Sequence, residues 1–459
     1  MGEKSMNKIS LKVLVNNLTN KVIFAECDSD FIDVLLSFLT IPMGKIVRLS
    51  NRSQPLRIGC MDNLYGSVEN LDLQLFQTAE CRDMLLHPRS GAEDLLMNLK
   101  LKYDQFKPSR YFKCSNESCR SPIQSYSYYE TVCCWCKGMM NVETTFKRKE
   151  TEGGGVFVKG PARFIISDDL QVLPPFTSAI SSLVGLNGFA DWNTVEELTF
   201  DVGADETPLS DTLLKDKTVP NVSIEYLDEE IHIESQKVED KMNKEEQKIP
   251  IRLIVSKSKK KVCYAEAGVD FVNLIFSFLT LPLGFIVKQM QNNSMKGCND
   301  RLYRGVRDLD EQYLKSYLHK KMFLSPALPP KYGYENHPLG IEESSYKDIF
   351  GVPAKVFDFV DPKSHDNEDV KACGFMKGPE MFMVTDNLNV SPISAILGMS
   401  ILREMNVPVT DVEVRVVHVG AEEAFRLLVA SFVCDAALTS AFLAKPKRDG
   451  ELGCLGFLI

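Results

Sequence analysis

The chain has 459 residues, 44% hydrophobic and 25% charged, the composition of a soluble globular protein with enough apolar material for real cores. Its net charge of −9 argues against a nucleic-acid binder that works by general phosphate neutralisation, which needs clustered Lys and Arg. Met1–Ser10 is polar and lacks the apolar run of a secretory signal, so the 13 cysteines point to a reducing compartment, cytoplasmic or nuclear, where clustered cysteines suggest metal before disulfide.

In chain order, Leu11–Val15 and Val22–Ala25 flank Asn16–Asn20, a hairpin signal. Asp28, Ser29 or Asp30 can cap the helix that follows, because their side-chain oxygens accept the free N–H groups of its first turn. The interior of that helix, Phe31–Leu39, is apolar on all faces and should be central to the fold. It and Phe271–Leu279 are about half the roughly 20 residues that cross a bilayer, so both read as buried helices and no membrane span is expected. Pro42 should break or restart the helix, with Gly44 behind it.

Next comes a cysteine cluster, Cys114-x4-Cys119 followed by Cys133-Cys134-x-Cys136. Taking Cys133 with Cys136 gives C-x4-C-x13-C-x2-C, two short-spaced pairs that can wrap one tetrahedral ion; Cys134 with Cys136 would also serve. Thiolates are soft and deprotonated on binding, which suits zinc. A closed four-thiolate site has no open position for a substrate, so the zinc is expected to be structural. Gly138 can supply the tight turn of a metal knuckle, with Trp135, Tyr126, Tyr128 and Tyr129 packed around it. The cluster makes residues 108–146 a zinc-ribbon-like insert.

Gly153-Gly154-Gly155 leads into a strand, Val156–Val158. It is not a phosphate cradle, since no strand–loop–helix context follows. Lys159-Gly160-Pro161 reads as a hairpin turn that uses Gly and Pro for backbone reasons, in preference to a ligand-binding lysine. A strand at Phe164–Ser167 and a turn at Asp168-Asp169 follow, then a helix after Pro174. From Ser223 to Lys248 the chain carries nine acidic residues and four lysines, a solvated acidic linker.

The pattern then starts again. Val22–Glu26 matches Val262–Glu266, Ser37–Thr40 matches Ser277–Thr280, and Pro42-x-Gly44-x-Ile46-Val47 matches Pro282-x-Gly284-x-Ile286-Val287. Leu64-Tyr65 matches Leu302-Tyr303, and Met84-x-Leu86-x-Pro88 matches Met322-x-Leu324-x-Pro326. Lys159-Gly160-Pro161 with Phe164 and Asp168 matches Lys377-Gly378-Pro379 with Phe382 and Asp386. A helix after Pro392, a strand at Glu413–Val419 and one long helix from Glu422 to Phe442 close the second copy. In the first copy that last helix is cut short near Lys215. The stretch of the second copy that matches the insert, Tyr332–Asp366, has no cysteine.

Hairpins and helices without regular strand–helix alternation indicate an α+β fold. The architecture is a tandem duplication of a roughly 200-residue unit: unit one at 9–215, acidic linker at 216–249, unit two at 250–445 and a tail at 446–459. No P-loop, G-x-G-x-x-G, G-x-S-x-G or H-E-x-x-H is present. The six histidines are scattered, and none holds the same position in both copies: His87 faces Ser325 and His319 faces Cys81. These features favour a non-enzymatic binding or scaffold protein with a protein partner over an enzyme or small-molecule binder with a site in one copy. A nucleic-acid reader would need Lys107, Arg110, Lys113 and Arg120 on one face of the insert.

Leu11–Val15 with Asn20–Glu26, Ser37–Leu49, Asn63–Leu71, the cysteine segment and Lys159–Leu170 resemble the plant domain-of-unknown-function 674 family. The resemblance covers residues 9–215 and 250–445. It implies a plant protein, brings no catalytic residues, and favours Cys134 with Cys136 as the second metal-binding pair, because the family's second pair has the C-x-C form.

Overall fold

The computed structural model describes residues 8–19, 21–53, 58–104, 111–119, 123–126, 131–132, 136, 138–144, 155–160, 162–176, 192–203, 248–290, 297–335, 337–344, 358–364, 374–378 and 381–443. The first half opens with β1 (Ile9–Asn16) and β2 (Lys21–Asp28), then α1 (Ser29–Ser37), α2 (Met43–Ser53), α3 (Met61–Asn70), α4 (Ala79–Leu86) and α5 (Glu93–Leu96). Short strands β3 (Tyr111–Lys113), β4 (Ile123–Tyr126), β5 (Thr131–Val132), β6 (Met139–Met140) and β7 (Val142–Thr144) form the insert. Strands β8 (Arg163–Ser167), β9 (Val172–Leu173) and β10 (Val195–Val202) follow. The second half has β11 (Ile249–Ser256), β12 (Lys261–Gly268), α6 (Val269–Ser277), α7 (Leu283–Met290), α8 (Cys298–Asp308) and α9 (Tyr317–Leu324). It ends with β13 (Asp358–Phe359), β14 (Met381–Thr385), β15 (Val390–Pro392), α10 (Ala395–Glu404), β16 (Val412–Val419), α11 (Ala421–Val433) and α12 (Ala437–Phe442).

The duplication is visible in the sheets. One runs β10-β1-β2-β8-β9 and the other β16-β11-β12-β14-β15, both antiparallel. Even the irregularity repeats: register shifts between Leu14 and Val15, and between Ile254 and Val255. Alternation puts Leu11, Val13 and Val15, like Ile251, Leu253 and Val255, on the buried face. Asp28 caps α1, its carboxylate accepting from Phe31 N–H at 3.2 Å. The all-apolar α1 is central as its composition requires; Ile32, Val34, Leu35 and Leu36 are fully buried.

The halves are not separately cored. Buried residues of both belong to one continuous apolar cluster, and the join is reciprocal. Met43 N–H donates to Leu281 O and Leu283 N–H to Ile41 O, each at 2.9 Å. The shared Pro-x-Gly motif is explained here. A Cβ on Gly44 would lie 2.9 Å from Leu85 O and 3.2 Å from Leu279 O, and one on Gly284 would lie 2.7 Å from Phe323 O and 2.8 Å from Leu39 O. Only glycine lets the two backbones approach this closely.

A second reciprocal join corrects two expectations. Val156–Val158 is not a strand of its own sheet: Val158 makes a single bridge, to Leu314 of the other half, and Phe76 makes the matching one to Met376. Lys159 N–H donates to Tyr313 O and Lys315 N–H to Phe157 O, while Gln77 N–H donates to Phe375 O and Lys377 N–H to Leu75 O, at 2.8–2.9 Å. Lys159-Gly160, like Lys377-Gly378, is therefore a crossing between halves and not a hairpin turn. A buried side chain holds each crossing. The Asp33 carboxylate accepts from Val156, Phe157 and Val158 N–H groups, the last two at 2.9 Å. At the same place in the second half, Asn273 Oδ1 accepts from Met376 N–H at 2.9 Å.

The long helix expected at Glu422–Phe442 is two helices, broken at Cys434–Ala436. Asp386 takes the Thr439 N–H and hydroxyl at 2.7 Å each, which fixes a new helix start. The carbonyls freed at the end of α11 are used by the first half: Cys60 N–H donates to Ser431 O at 2.8 Å and its thiol to Cys434 O at 3.0 Å. The helix after Pro392 is present as α10; its counterpart after Pro174 falls outside the described residues, as do residues 216–247 of the linker and the tail, while Ile249 already belongs to β11.

Two substitutions test these joins. Gly284→Ala forces a methyl group against main chain and should cost about 1–3 kcal/mol, read as a shifted denaturation midpoint. Asp33→Ala leaves three buried amides without their acceptor and should cost at least about 3 kcal/mol, whereas Asp33→Asn, which copies the other half, should cost clearly less in the same assay.

Candidate metal centre

Strand β3 delivers Cys114 at its end. The chain then turns: Cys119 N–H donates to Asn116 O at 2.9 Å and Ser118 N–H to Asn116 Oδ1 at 3.0 Å. Ser115 N–H donates to Met139 O at 2.8 Å, which ties this turn to β6 and brings Cys136 across. The Sγ atoms of Cys114, Cys119 and Cys136 all lie within 4.8 Å of one another, with Cys114 and Cys136 at 3.3 Å. Four sulfurs around zinc at about 2.3 Å stand about 3.8 Å apart, and a disulfide is about 2.05 Å long, so these sulfurs are too far apart for a bond and near enough to share one ion. Asn116 N–H points at Cys114 Sγ at 3.4 Å, a donor that favours the thiolate form. A Cβ on Gly138 would sit 3.3 Å from both Cys114 and Cys136 Sγ, so glycine keeps the space between the sulfurs open. Cys133 and Cys134 lie outside the described residues, as do Lys107, Arg110 and Arg120.

The second half reaches into this centre. Strand β13 pairs in parallel with β4, extending the insert's sheet to β13-β4-β3-β7. Val360 and Met140 are buried against the three cysteines. The contact continues inward: Pro362 O accepts the Thr78 hydroxyl at 2.8 Å, and Thr78 caps α4 beside the Phe76–Met376 bridge. The cysteine-free stretch of the second copy is thus a wall of the first copy's cysteine site. No spacing rule reveals this, because Val360 is an ordinary apolar residue far away in sequence.

Several other buried polar groups are paired within the fold. Buried Lys45 lies 3.3 Å from Asp104, which Arg48 also meets at 2.8 Å. The second half has Phe285 in the place of Lys45, stacked on Phe425. Burial pushes the Asp33 and Asp386 carboxyls up to about 6. A cleft of about 110 Å³ at the seam is lined by Thr40 and Ser90 from one half and Lys321, Ser325 and Glu342 from the other. It is well below the roughly 300 Å³ at which ligand pockets begin, and Asp33, Asp386 and His337 do not line it. His319 bonds Ser316 Oγ at 3.0 Å and packs edge-on against Phe157. No helix among the described residues is long and apolar enough to cross a membrane.

The architecture and the site define a duplicated α+β protein with a cysteine centre that can hold a metal ion. The chain belongs to the DUF674 family: the profile described as "Protein of unknown function (DUF674)" matches residues 5–422. No curated protein and no solved structure matches the chain.

His337, which meets Ser277 at the end of α6, gives a pH test of the scaffold. Burial holds its imidazole down at about 4, and Leu339 N–H donates to Nδ1 at 3.1 Å, so the proton sits on Nε2 facing Ser277 Oγ at 2.9 Å. The unfolded chain therefore binds this proton first as pH falls, and the stability His337 contributes is present above about 6.5 and lost towards 4. The stability gap between wild type and His337→Gln should narrow by about 2 kcal/mol between pH 7 and pH 5, measured by urea denaturation.

Proposed function

We propose that this protein is a non-enzymatic binding or scaffold protein of the cytoplasm or nucleus, built around one structural zinc ion. Cys114, Cys119 and Cys136 supply three ligands, and Cys133 or Cys134 supplies the fourth. The observation that carries the reading is the convergence of three sulfurs, with an N–H donor and a Cβ-free gap among them. A four-thiolate shell has no position left for substrate, so the ion's work is to hold the insert together. Burial of Val360 against the sulfurs makes it also a clamp on the second half. Two joined halves with a small seam cleft suit presentation of surfaces to a protein partner better than turnover of a substrate.

Metal analysis of protein purified without chelator should find about one equivalent of zinc. Cys136→Ser should lose most of it. A strong chelator should lower the melting temperature and speed amide exchange in residues 358–364 as well as in the insert, because metal binding and folding are coupled. Less than about a tenth of an equivalent of any metal in the wild type overturns the reading.

A further inference from the structure

We propose that the open edge of β16 docks an extended segment of a partner protein, one that alternates apolar residues and carries acidic residues at its carboxyl end. This rests on the binding reading above and names where, and with what chemistry, the partner is held.

The surface around β16 is apolar where a surface should not be. Helix α10, Ala-Ile-Leu-Gly-Met-Ser-Ile-Leu-Arg-Glu, is hydrophobic nearly all round, the pattern of a helix covered on both sides. One side is covered. Gly398 sits where a Cβ would be 2.9 Å from Tyr264 Oη, and Leu402 is buried with Ile254 and Cys263. The other side is not: Ile396 is 83% exposed and Met399 56%. The register places Val414 opposite Ile254 and Val416 opposite Arg252, on the same outer face as the ground that α10 covers. Both valines are about 60% exposed.

Beside this patch the sheet ends. Among the described residues β16 has β11 on one side and no strand on the other. The equivalent edge of the first sheet, β10, carries Glu196, Glu197 and Asp201, charges that discourage strand addition. Strand β16 carries a single acid, Glu413, where β10 carries three, one of them paired with Lys12 at 3.4 Å. Its valines alternate with Glu413 and Arg415, which neutralise each other at 2.9 Å. A lipid surface offers an edge no hydrogen-bond partners, whereas an added peptide strand offers a full row and lays alternate side chains on one face.

Charge selects the peptide. The turn Lys257, Lys259 and Lys260 lies at the Val412 end of the edge, since Ser256 faces Val412. Lys257 Nζ reaches Thr410 O at 3.2 Å, and Lys259 Nζ reaches Met405 O. Arg403 lies in the last turn of α10 nearby. The Asp411 carboxylate, held by the hydroxyls of Ser256 and Ser258 at 2.6 and 2.7 Å, and Glu404 are the opposing acids, two against three lysines and Arg403. A strand antiparallel to β16 brings its carboxyl end to these lysines, so acidic residues belong there.

The test is fluorescence anisotropy of the full chain with a labelled peptide of alternating valine and threonine ending in three glutamates, beside the same peptide ending in three lysines. The glutamate peptide should bind in the micromolar range, and Val414→Lys/Val416→Lys should weaken it at least about tenfold. Lys257→Glu/Lys259→Glu/Lys260→Glu should weaken the glutamate peptide and favour the lysine one. Zinc content and melting temperature of each variant should match wild type, so that a lost fold is not mistaken for a lost site. No binding, or binding indifferent to Val414→Lys/Val416→Lys, overturns the proposal. So does a dimer by light scattering that Val414→Lys/Val416→Lys dissolves while neither peptide binds, which would make a second copy the occupant. Metal analysis does not touch β16, so failure of the zinc reading and failure of this site are read separately.

Discussion

Each half of this protein holds its fold through main-chain groups of the other half, and the rest of the structure depends on that exchange. Four hydrogen bonds in two matched pairs, around Val158–Leu314 and Phe76–Met376, join a segment of each half to the other. A backbone donor buried without its acceptor is costly, so neither half can be withdrawn without leaving such groups exposed or empty. The shared apolar cluster follows from the same arrangement. So does the close contact at Gly44 and Gly284, where two main chains meet with no room for a methyl group.

Against that symmetry the halves have diverged where chemistry is cheap to change. Asp33 holds three amides in one crossing, and Asn273 holds an amide in the other. Lys45 sits among acids where its counterpart Phe285 stacks on a ring. The largest difference is the insert. Its sulfurs gather near strand β13 of the other half, and Val360 closes over them. The route from the sulfurs through Pro362 to the cap of α4 ends at the central exchange. An asymmetric cysteine centre on a nearly symmetric frame thus has one side of the frame against it.

Local signals were legible where local physics decides. The hairpin before α1, the Asp28 cap, the buried α1 and the approach of Cys119 to Cys114 all depend on neighbours a few residues away. Local preference is overridden where a distant partner competes for the same backbone. Val156–Val158 has strand composition, yet a buried carboxylate takes its amides. Glu422–Phe442 has helix composition, yet Asp386 starts a second helix at its far end while Cys60 donates to the carbonyls left by the break.

By itself the sequence determined that one unit occurs twice, that the unit mixes hairpins with helices, and that cysteines cluster in the first copy. Periodicity and spacing carry those facts because they report contacts along one chain segment. Only the tertiary structure decided that the copies interlock in place of standing side by side, and that the cysteine-free stretch walls the cysteine centre. Both are contacts between segments hundreds of residues apart, and a single sequence has no term for which distant backbone will supply a missing hydrogen bond.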